Sequence, residues 1–394
     1  MYRIGQEEID AVARVINSKQ LFKVNSGLNE TARCEENMRN IWGVRRALLV
    51  TSGKGALISA LVGMGIGPGD EVIVPAYTYI ATAIAVLAVG AIPIIADIDE
   101  TLTLSPKDFE RKITERTKAV IPVHIMGFPC NMDEIMRIAK EHNIMVLEDS
   151  CQSDGGSYKG KRLGSIGDAG ALSFNYFKII TAGEGGAVLT NNDKLYERAL
   201  IYQDSSAISF FGDQLSGINE PQFAGSQFRT NEISAAILNA QFNRLDGILG
   251  DLRKNKKKMK ELLSPYCRFA PSNDEEGDCG VALSIEFDTA EQCIAFNKAA
   301  PDGTTRPRES DRHIYCFWTA ILEKRGAFHP LMDPFKMEAN KNHIPDYNAD
   351  MCPETLEILA KNCYISINPD WTDKEIEEKA EYYINALKNN AKRF

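Results

Sequence analysis

A chain of 394 residues, 44% hydrophobic and 25% charged, has the composition of a globular protein with a sizeable core. Its net charge of −9 and pI near 5.3 argue against a nucleic acid or an anionic membrane surface as partner. No apolar run reaches the roughly 18 residues of a membrane span. The opening Met1-Tyr-Arg-Ile-Gly lacks the basic-then-apolar pattern of an export signal. Nine cysteines without a C-x-x-C pair, and five histidines without a shared spacing, indicate neither a disulfide framework nor a metal site. The expectation is a cytoplasmic protein with reduced thiols.

In chain order, Gln6–Ser18 reads as a short amphipathic helix, followed by a polar loop through Lys23, Asn25 and Ser26 and a second helix over Glu30–Trp42. Short β-branched runs then recur at Ala47–Thr51, Glu71–Pro75, Ile92–Ile98, Ala119–His124, Ile144–Asp149, Ala169–Asn175 and Ala187–Thr190. Helical periods at Gly55–Met64, Ile80–Val89, Pro106–Lys112 and Asn131–His142 separate most of them. Such alternation predicts an α/β fold with a mostly parallel, seven-stranded sheet covered on both faces. The last three runs lack long helices between them, so part of the sheet is expected to be antiparallel. Asn231 to about Leu263 is helical, and the lysine-dense stretch 251–260 suits a solvated helix face better than an anion site in so acidic a chain. Strands at Gly280–Phe287 and Tyr364–Ile367, with helices at Ala290–Ala299, Pro353–Lys361 and Asp373–Leu387, predict a smaller α+β part. The expected division is 1–245 and 246–394.

Ligands of a parallel sheet collect at the carboxyl ends of its strands, and four segments fall there. Thr51-Ser-Gly-Lys-Gly-Ala-Leu57 ends a strand and opens a helix, where Ser52, Gly53 and Lys54 can meet a phosphate. Val74-Pro-Ala-Tyr-Thr-Tyr79 offers Tyr77 and Tyr79 as rings to stack on a flat ligand. Val146-Leu-Glu-Asp-Ser-Cys-Gln152 ends a strand in acid, so that Asp149 can hold a protonated pyridine nitrogen and Gln152 can reach a phenolic oxygen. Ser173-Phe-Asn-Tyr-Phe-Lys-Ile-Ile-Thr-Ala-Gly-Glu-Gly-Gly186 delivers Lys178 between two core strands, with Ser173 as a further hydroxyl for the phosphate. Desolvation lowers a lysine's pKa, which suits an amine nucleophile. Amine, pyridinium carboxylate, stacking ring and phosphate cup are the parts a pyridoxal phosphate site needs.

These segments resemble the DegT-type sugar aminotransferases, enzymes of the aspartate aminotransferase fold (PLP fold type I). The likeness runs from Ile4-Gly-Gln-Glu-Glu-Ile-Asp-Ala to the last helix. Its most specific pieces are Glu148-Asp-x-x-Gln152, Tyr158-Lys-Gly-Lys with Gly164-Ser-x-Gly-Asp168, and Ser173-Phe-x-x-x-Lys178 with Gly183-Glu-Gly-Gly186. The resemblance implies pyridoxal 5'-phosphate as cofactor, joined covalently to Lys178. It also implies Asp149 on the ring nitrogen, Gln152 on the O3′ side, Tyr79 stacked, and Gly53, Lys54 and Ser173 around the phosphate. The family usually has threonine where Lys54 stands. Gly225-Ser-Gln-Phe-Arg resembles a segment whose asparagine reaches the neighbouring subunit's phosphate, and Gln227 occupies that position here. A homodimer with active sites at its interface is implied, with Gln227, and Phe22 and Lys23, across the boundary.

Some members replace this lysine by histidine and dehydrate sugars, so Lys178 favours transamination, with L-glutamate the implied donor and a keto or aldehyde sugar the acceptor. Arg306, Arg308 and Arg312 crowd the region where the family shapes its acceptor pocket, and a bidentate arginine suits a carboxylate. The acceptor expected on that ground is 8-oxo-3,8-dideoxy-manno-octulosonate, a lipopolysaccharide precursor, with a nucleotide-linked keto sugar as the alternative. Salt bridges to Glu309 and Asp311 are the competing explanation of those arginines. A desulfurase is disfavoured, as no cysteine sits on a recognisable mobile loop. A non-catalytic binding protein on the same fold is the remaining alternative.

Overall fold

The computed structural model describes residues 3–23, 27–205 and 217–391; the expected polar loop at Asn25 and Ser26 lies outside the described residues. Seven short apolar runs form the central sheet: β1 (Arg46–Val50), β2 (Glu71–Pro75), β3 (Ile92–Ala96), β4 (Thr117–Val120), β5 (Met145–Asp149) and, after a small hairpin of β6 (Ser157–Tyr158) and β7 (Lys161–Arg162), β8 (Ala169–Ser173) and β9 (Gly186–Thr190). Their order is β1-β9-β8-β5-β4-β2-β3. Pairing is parallel from β3 to β8, whereas β9 runs antiparallel to both β8 and β1. β2, β3, β8 and β9 are buried at every position, which is why their sequences are continuous rather than alternating.

Around this sheet lie α1 (Gln6–Ser18), α2 (Glu30–Trp42), α3 (Gly53–Met64), α4 (Ala81–Ala88), α5 (Pro106–Arg111), α6 (Met132–Glu141), α7 (Asp193–Gln203) and α8 (Glu232–Phe242). The start of α2 is fixed by a buried acid on α8. Glu232 accepts from Glu30 N (2.6 Å), Thr31 N (3.1 Å) and Thr31 Oγ1 (2.6 Å), which satisfies donors a helix start leaves open. β4 stops sooner than its apolar run, because Pro122 has no N–H for the ladder. α7 was not anticipated, although Asn192 caps it by accepting from Leu195 N.

The long helix α9 (Leu245–Leu263) leads to a four-stranded antiparallel sheet, in the order β10-β11-β13-β12, made of β10 (Arg268–Phe269), β11 (Ala282–Glu286), β12 (Thr304–Thr305) and β13 (Asn362–Ser366). With it pack α10 (Ala290–Ala299), α11 (Thr319–Leu322), α12 (Pro353–Ala360) and α13 (Asp373–Ala391). Two-residue strands such as β10 and β12 carry no readable period, so they escaped the sequence reading. On α9, Lys256 pairs with Asp278, Lys258 with Glu377 and Lys260 with Glu275, while Arg253 donates to the carbonyl oxygens of Asp278 and Gly277. These cations are committed to the protein's own acids and carbonyls.

Two contacts position the site. Glu148, with no exposed surface, accepts from Gly164 N (2.9 Å), Ile166 N (2.6 Å) and Gly167 N (2.7 Å), and Asp168 Oδ2 accepts from Val146 N (2.8 Å). The 164–168 loop and the acidic end of β5 are therefore one unit. His124 Nδ1 accepts from Cys130 N (3.0 Å), so its Nε2 carries the proton and donates to Glu148 (3.1 Å). Secondly, Thr78 N donates to His313 O (2.9 Å), Ile80 N to Arg312 O (2.9 Å) and Tyr315 N to Ala76 O (3.0 Å). Those bonds staple a C-terminal segment onto the end of β2.

Candidate active site

The carboxyl ends of β2, β5 and β8, the start of α3 and the stapled segment enclose a cavity of about 850 Å³. Ser52, Gly53, Lys54, Tyr79, Asp149, Gln152, Ser173, Lys178 and Arg312 all line it. β8 and β9 form an antiparallel pair, and Lys178 rides on the loop between them. The neck of that loop is held by Phe174 N to Gly185 O (2.9 Å), Tyr176 N to Gly183 O (3.0 Å) and Asn175 Nδ2 to Glu184 Oε1 (2.9 Å).

Asp149 is 5% exposed and held in place by two donors. Its Oδ2 accepts from Thr82 Oγ1 (2.7 Å), and its Oδ1 from Cys151 N (3.1 Å). A hydroxyl has one proton, so Thr82, having given its own to Asp149, accepts from Thr78 Oγ1 at 2.7 Å. Gln152 Oε1 accepts from Met126 N (3.1 Å), which fixes the direction of its amide. The threonines lie within the Tyr77–Thr82 stretch; their i,i+4 spacing at the start of α4 was the signal for them.

At the other end, Ser52 caps α3, its Oγ accepting from Gly55 N (3.0 Å). A Cβ on Gly53 would stand 2.8 Å from Ser173 Cβ and 2.7 Å from Cys151 Sγ, so only glycine lets the helix start lie against the Ser173 hydroxyl. Gly186 is constrained similarly, its Cβ position falling 2.3 Å from the Ser52 carbonyl carbon. A helix start with free N–H groups, a serine hydroxyl beside it and an exposed Lys54 in its first turn make a cup for a phosphate. A carboxylate, an aromatic ring and an amine share the same cavity. That donor set fits pyridoxal 5'-phosphate, the group this site is built to hold.

Five expected residues do not line this cavity. Arg306 is nine-tenths buried and bound to Glu309, as the salt-bridge explanation has it. Arg308 lies over the Phe317 ring at 5.9 Å, with Cys316 beside it. The Lys23 ammonium is bound to Glu35 (2.7 Å) with its side chain 14% exposed, so it is not presented to a ligand. Phe22 is half-exposed under the Arg229 guanidinium (4.9 Å), and exposed Gln227 bridges Asp204. Ser310 and His313 line the cavity and were not singled out in the sequence; Asp311, read there only as a salt-bridge partner, lines it too. The Tyr77 ring is buried, so of the two expected tyrosines only Tyr79 lines the cavity, together with Phe177.

The Asp154 carboxyl was missed altogether. It is 1% exposed, and burial pushes it well above the usual carboxylate range, with Lys178 and the Ser173 N–H opposing the shift. The folded state therefore holds a proton that the unfolded chain has lost, and stability falls as pH rises above about 4 towards that raised value. Asp154→Asn removes this linkage. Its gain in melting temperature over wild type should be larger at about pH 8.5 than at about pH 5.5. An equal gain at both would show that another group binds the proton.

A cavity at the carboxyl edge of a largely parallel sheet, with a lysine brought into it between two of the strands, is the arrangement of a pyridoxal phosphate enzyme of fold type I. Residues 2–292 match the DegT/DnrJ/EryC1/StrS aminotransferase family, and the chain belongs to that family. It is 42% identical over 247 residues to a GDP-perosamine synthase of Caulobacter vibrioides (62% of this chain, 64% of the relative). It is 36% identical over 229 residues to an L-glutamine:2-deoxy-scyllo-inosose aminotransferase of Streptomyces fradiae (53% and 54%). Those matches span less than two thirds of either relative's length. An aminotransferase structure from Psychrobacter cryohalolentis superposes with a TM-score of 0.79 at 25% identity, covering 98% of both chains.

Proposed function

We propose that this chain is a pyridoxal phosphate-dependent aminotransferase that moves an amino group from L-glutamate to a carbonyl carbon of a sugar. The observation that carries the reading is the convergence of Lys178, Asp149, Tyr79 and the Ser52–Gly53–Ser173 cup on one cavity. When bound, the cofactor supplies an electron sink for the bond-breaking at the donor's Cα. The protein's part is positional and protonic. Asp149 would meet the ring nitrogen with its charge, Tyr79 would cover the ring, and the cup would hold the phosphate. The Lys178 amine would hold the cofactor between turnovers and, once freed by the donor, would take the proton from the donor's Cα.

For the acceptor we keep two readings. A free acidic sugar, 8-oxo-3,8-dideoxy-manno-octulosonate, would find Arg312, which lines the cavity with its guanidinium 3.8 Å from Asp311. A nucleotide-linked keto sugar is favoured equally by the likeness to a GDP-perosamine synthase. The loss of Arg306 and Arg308 from the cavity weakens the carboxylate argument. The same proposal divides the chain into a cofactor-holding part, 1–245, and a substrate-facing part, 246–394. It also places two copies in a homodimer in which Gln227 and Phe22 approach the neighbouring cavity. The nine unpaired cysteines suit the reducing cytoplasm. Adding L-glutamate to the yellow holoenzyme tests the central claim: the long-wavelength band should give way to the near-ultraviolet band of the amine form. A spectrum unmoved by glutamate would favour a binding protein.

A further inference from the structure

His313 enters the cavity from the C-terminal part, and its position is unusually well determined. Its own carbonyl accepts from Thr78 N and that of Arg312 from Ile80 N, on either side of Tyr79, while Tyr315 N donates to Ala76 O and Ile314 bridges Tyr77. Its ring lies against Tyr79 with centroids 5.4 Å apart at 51°. Nδ1 is 2.9 Å from Ser310 Oγ, and Nε2 has no partner among the described residues. Burial first, and then the positive charges of Lys178 and Arg312, bring its pKa down to about 4, so the ring is neutral. A hydrocarbon side chain could pack on Tyr79 without the cost of desolvating an imidazole. A polar ring kept in a cofactor cavity with one nitrogen uncommitted points to a ligand.

We propose that His313 is a specificity-determining residue that contacts the sugar acceptor, its Nε2 hydrogen-bonding a hydroxyl or the carbonyl oxygen while Ser310 holds the ring at Nδ1. This inference rests on the sugar aminotransferase reading. A neutral imidazole suits hydroxyl groups, which both donate and accept. It has little to offer the carboxylates of glutamate, for which the cation Arg312 lines the same cavity. The two half-reactions should therefore respond differently to its loss.

The test follows the holoenzyme spectrum in single turnovers. The donor half uses L-glutamate; the acceptor half starts from the amine form and uses 8-oxo-3,8-dideoxy-manno-octulosonate or GDP-4-keto-6-deoxymannose. His313→Phe keeps a ring against Tyr79 and removes both nitrogens. Its donor half should stay within about twofold of wild type while kcat/KM of the acceptor half falls roughly 10- to 100-fold. Ser310→Ala should cost the acceptor half several-fold, and His313→Gln, which retains a donor and an acceptor, should recover part of the loss. Equal losses in both halves would make His313 a packing residue and overturn the proposal, as would an unchanged acceptor half. If wild type reacts with glutamate and with neither sugar, the inference falls together with the sugar reading. If wild type does not react with glutamate, the transaminase reading itself has failed.

Discussion

Lys178→Ala should lose turnover with L-glutamate by at least about 10⁴-fold, while its cofactor-free form melts within about a degree or two of cofactor-free wild type. The two halves of that expectation have separate physical grounds. Lys178 is half-buried on the loop between β8 and β9, and no ion pair or side-chain hydrogen bond to it is seen among the described residues. The folded chain therefore loses little when the amine is removed, and substitutions away from structural features usually stay within about 0.5 kcal/mol. On the proposed function, chemistry loses both the nucleophile that would hold the cofactor covalently and the base that would take the donor's Cα proton. Positioned proton transfer alone contributes roughly 10²- to 10⁴-fold. Lys178→Arg separates charge from nucleophilicity. It retains a cation at the end of the same loop but has no neutral amine at working pH, so it should be as inactive as alanine. Single-turnover spectra with glutamate, together with retention of the yellow colour through gel filtration, provide the readout. An alanine variant keeping a tenth of wild-type turnover would place the chemistry on another residue.

Buried strands and the residues at their ends were the legible part of this chain. β2 is bounded as its apolar run predicts, as are α1, α2 and α10, because the signals there are local: a continuous β-branched run, or a helical period closed by a cap. Lys178, Asp149, Gln152 and Ser173 could be read for the same reason, each standing where a core strand gives way to polar residues. What was not legible depends on tertiary contact. Arg306, Arg308 and Arg312 look alike in sequence. Only folding shows that Glu309 takes the first, that Phe317 underlies the second and that the third faces the cavity. His313 belongs to the site through backbone bonds to residues more than two hundred positions earlier, which no period or spacing announces. Asp154 stands five residues beyond Asp149 with no pattern to mark it, and its burial shows only in the folded chain. The Glu148 motif and the 164–168 motif were each recognisable, but the three backbone N–H bonds that join them were not.

Asp149→Asn should lower kcat with glutamate by roughly 200- to 5,000-fold, corresponding to the 3–5 kcal/mol typical of deleting one partner of a buried charge pair. Asparagine preserves shape and can still accept from Cys151 N, so the cup, Tyr79 and the Lys178 loop stay where they are. What disappears is the negative charge facing the cofactor's ring nitrogen, and with it the reason for that nitrogen to keep its proton and draw electrons from the donor. The loss should therefore fall on kcat, with KM for glutamate changed by only a few-fold. Thr82→Val gives a graded control. It deletes the 2.7 Å bond to Oδ2 and leaves the charge and the Cys151 N–H in place. Hydrogen bonds to charged groups are worth about 1.5–3 kcal/mol, so a fall of roughly 10- to 150-fold is expected. Because both changes act through one carboxylate, the double variant should be little worse than Asp149→Asn alone. Losses that simply multiplied would mean that Thr82 serves the site by a route other than Asp149, and the Thr78–Thr82–Asp149 chain would lose its assigned role.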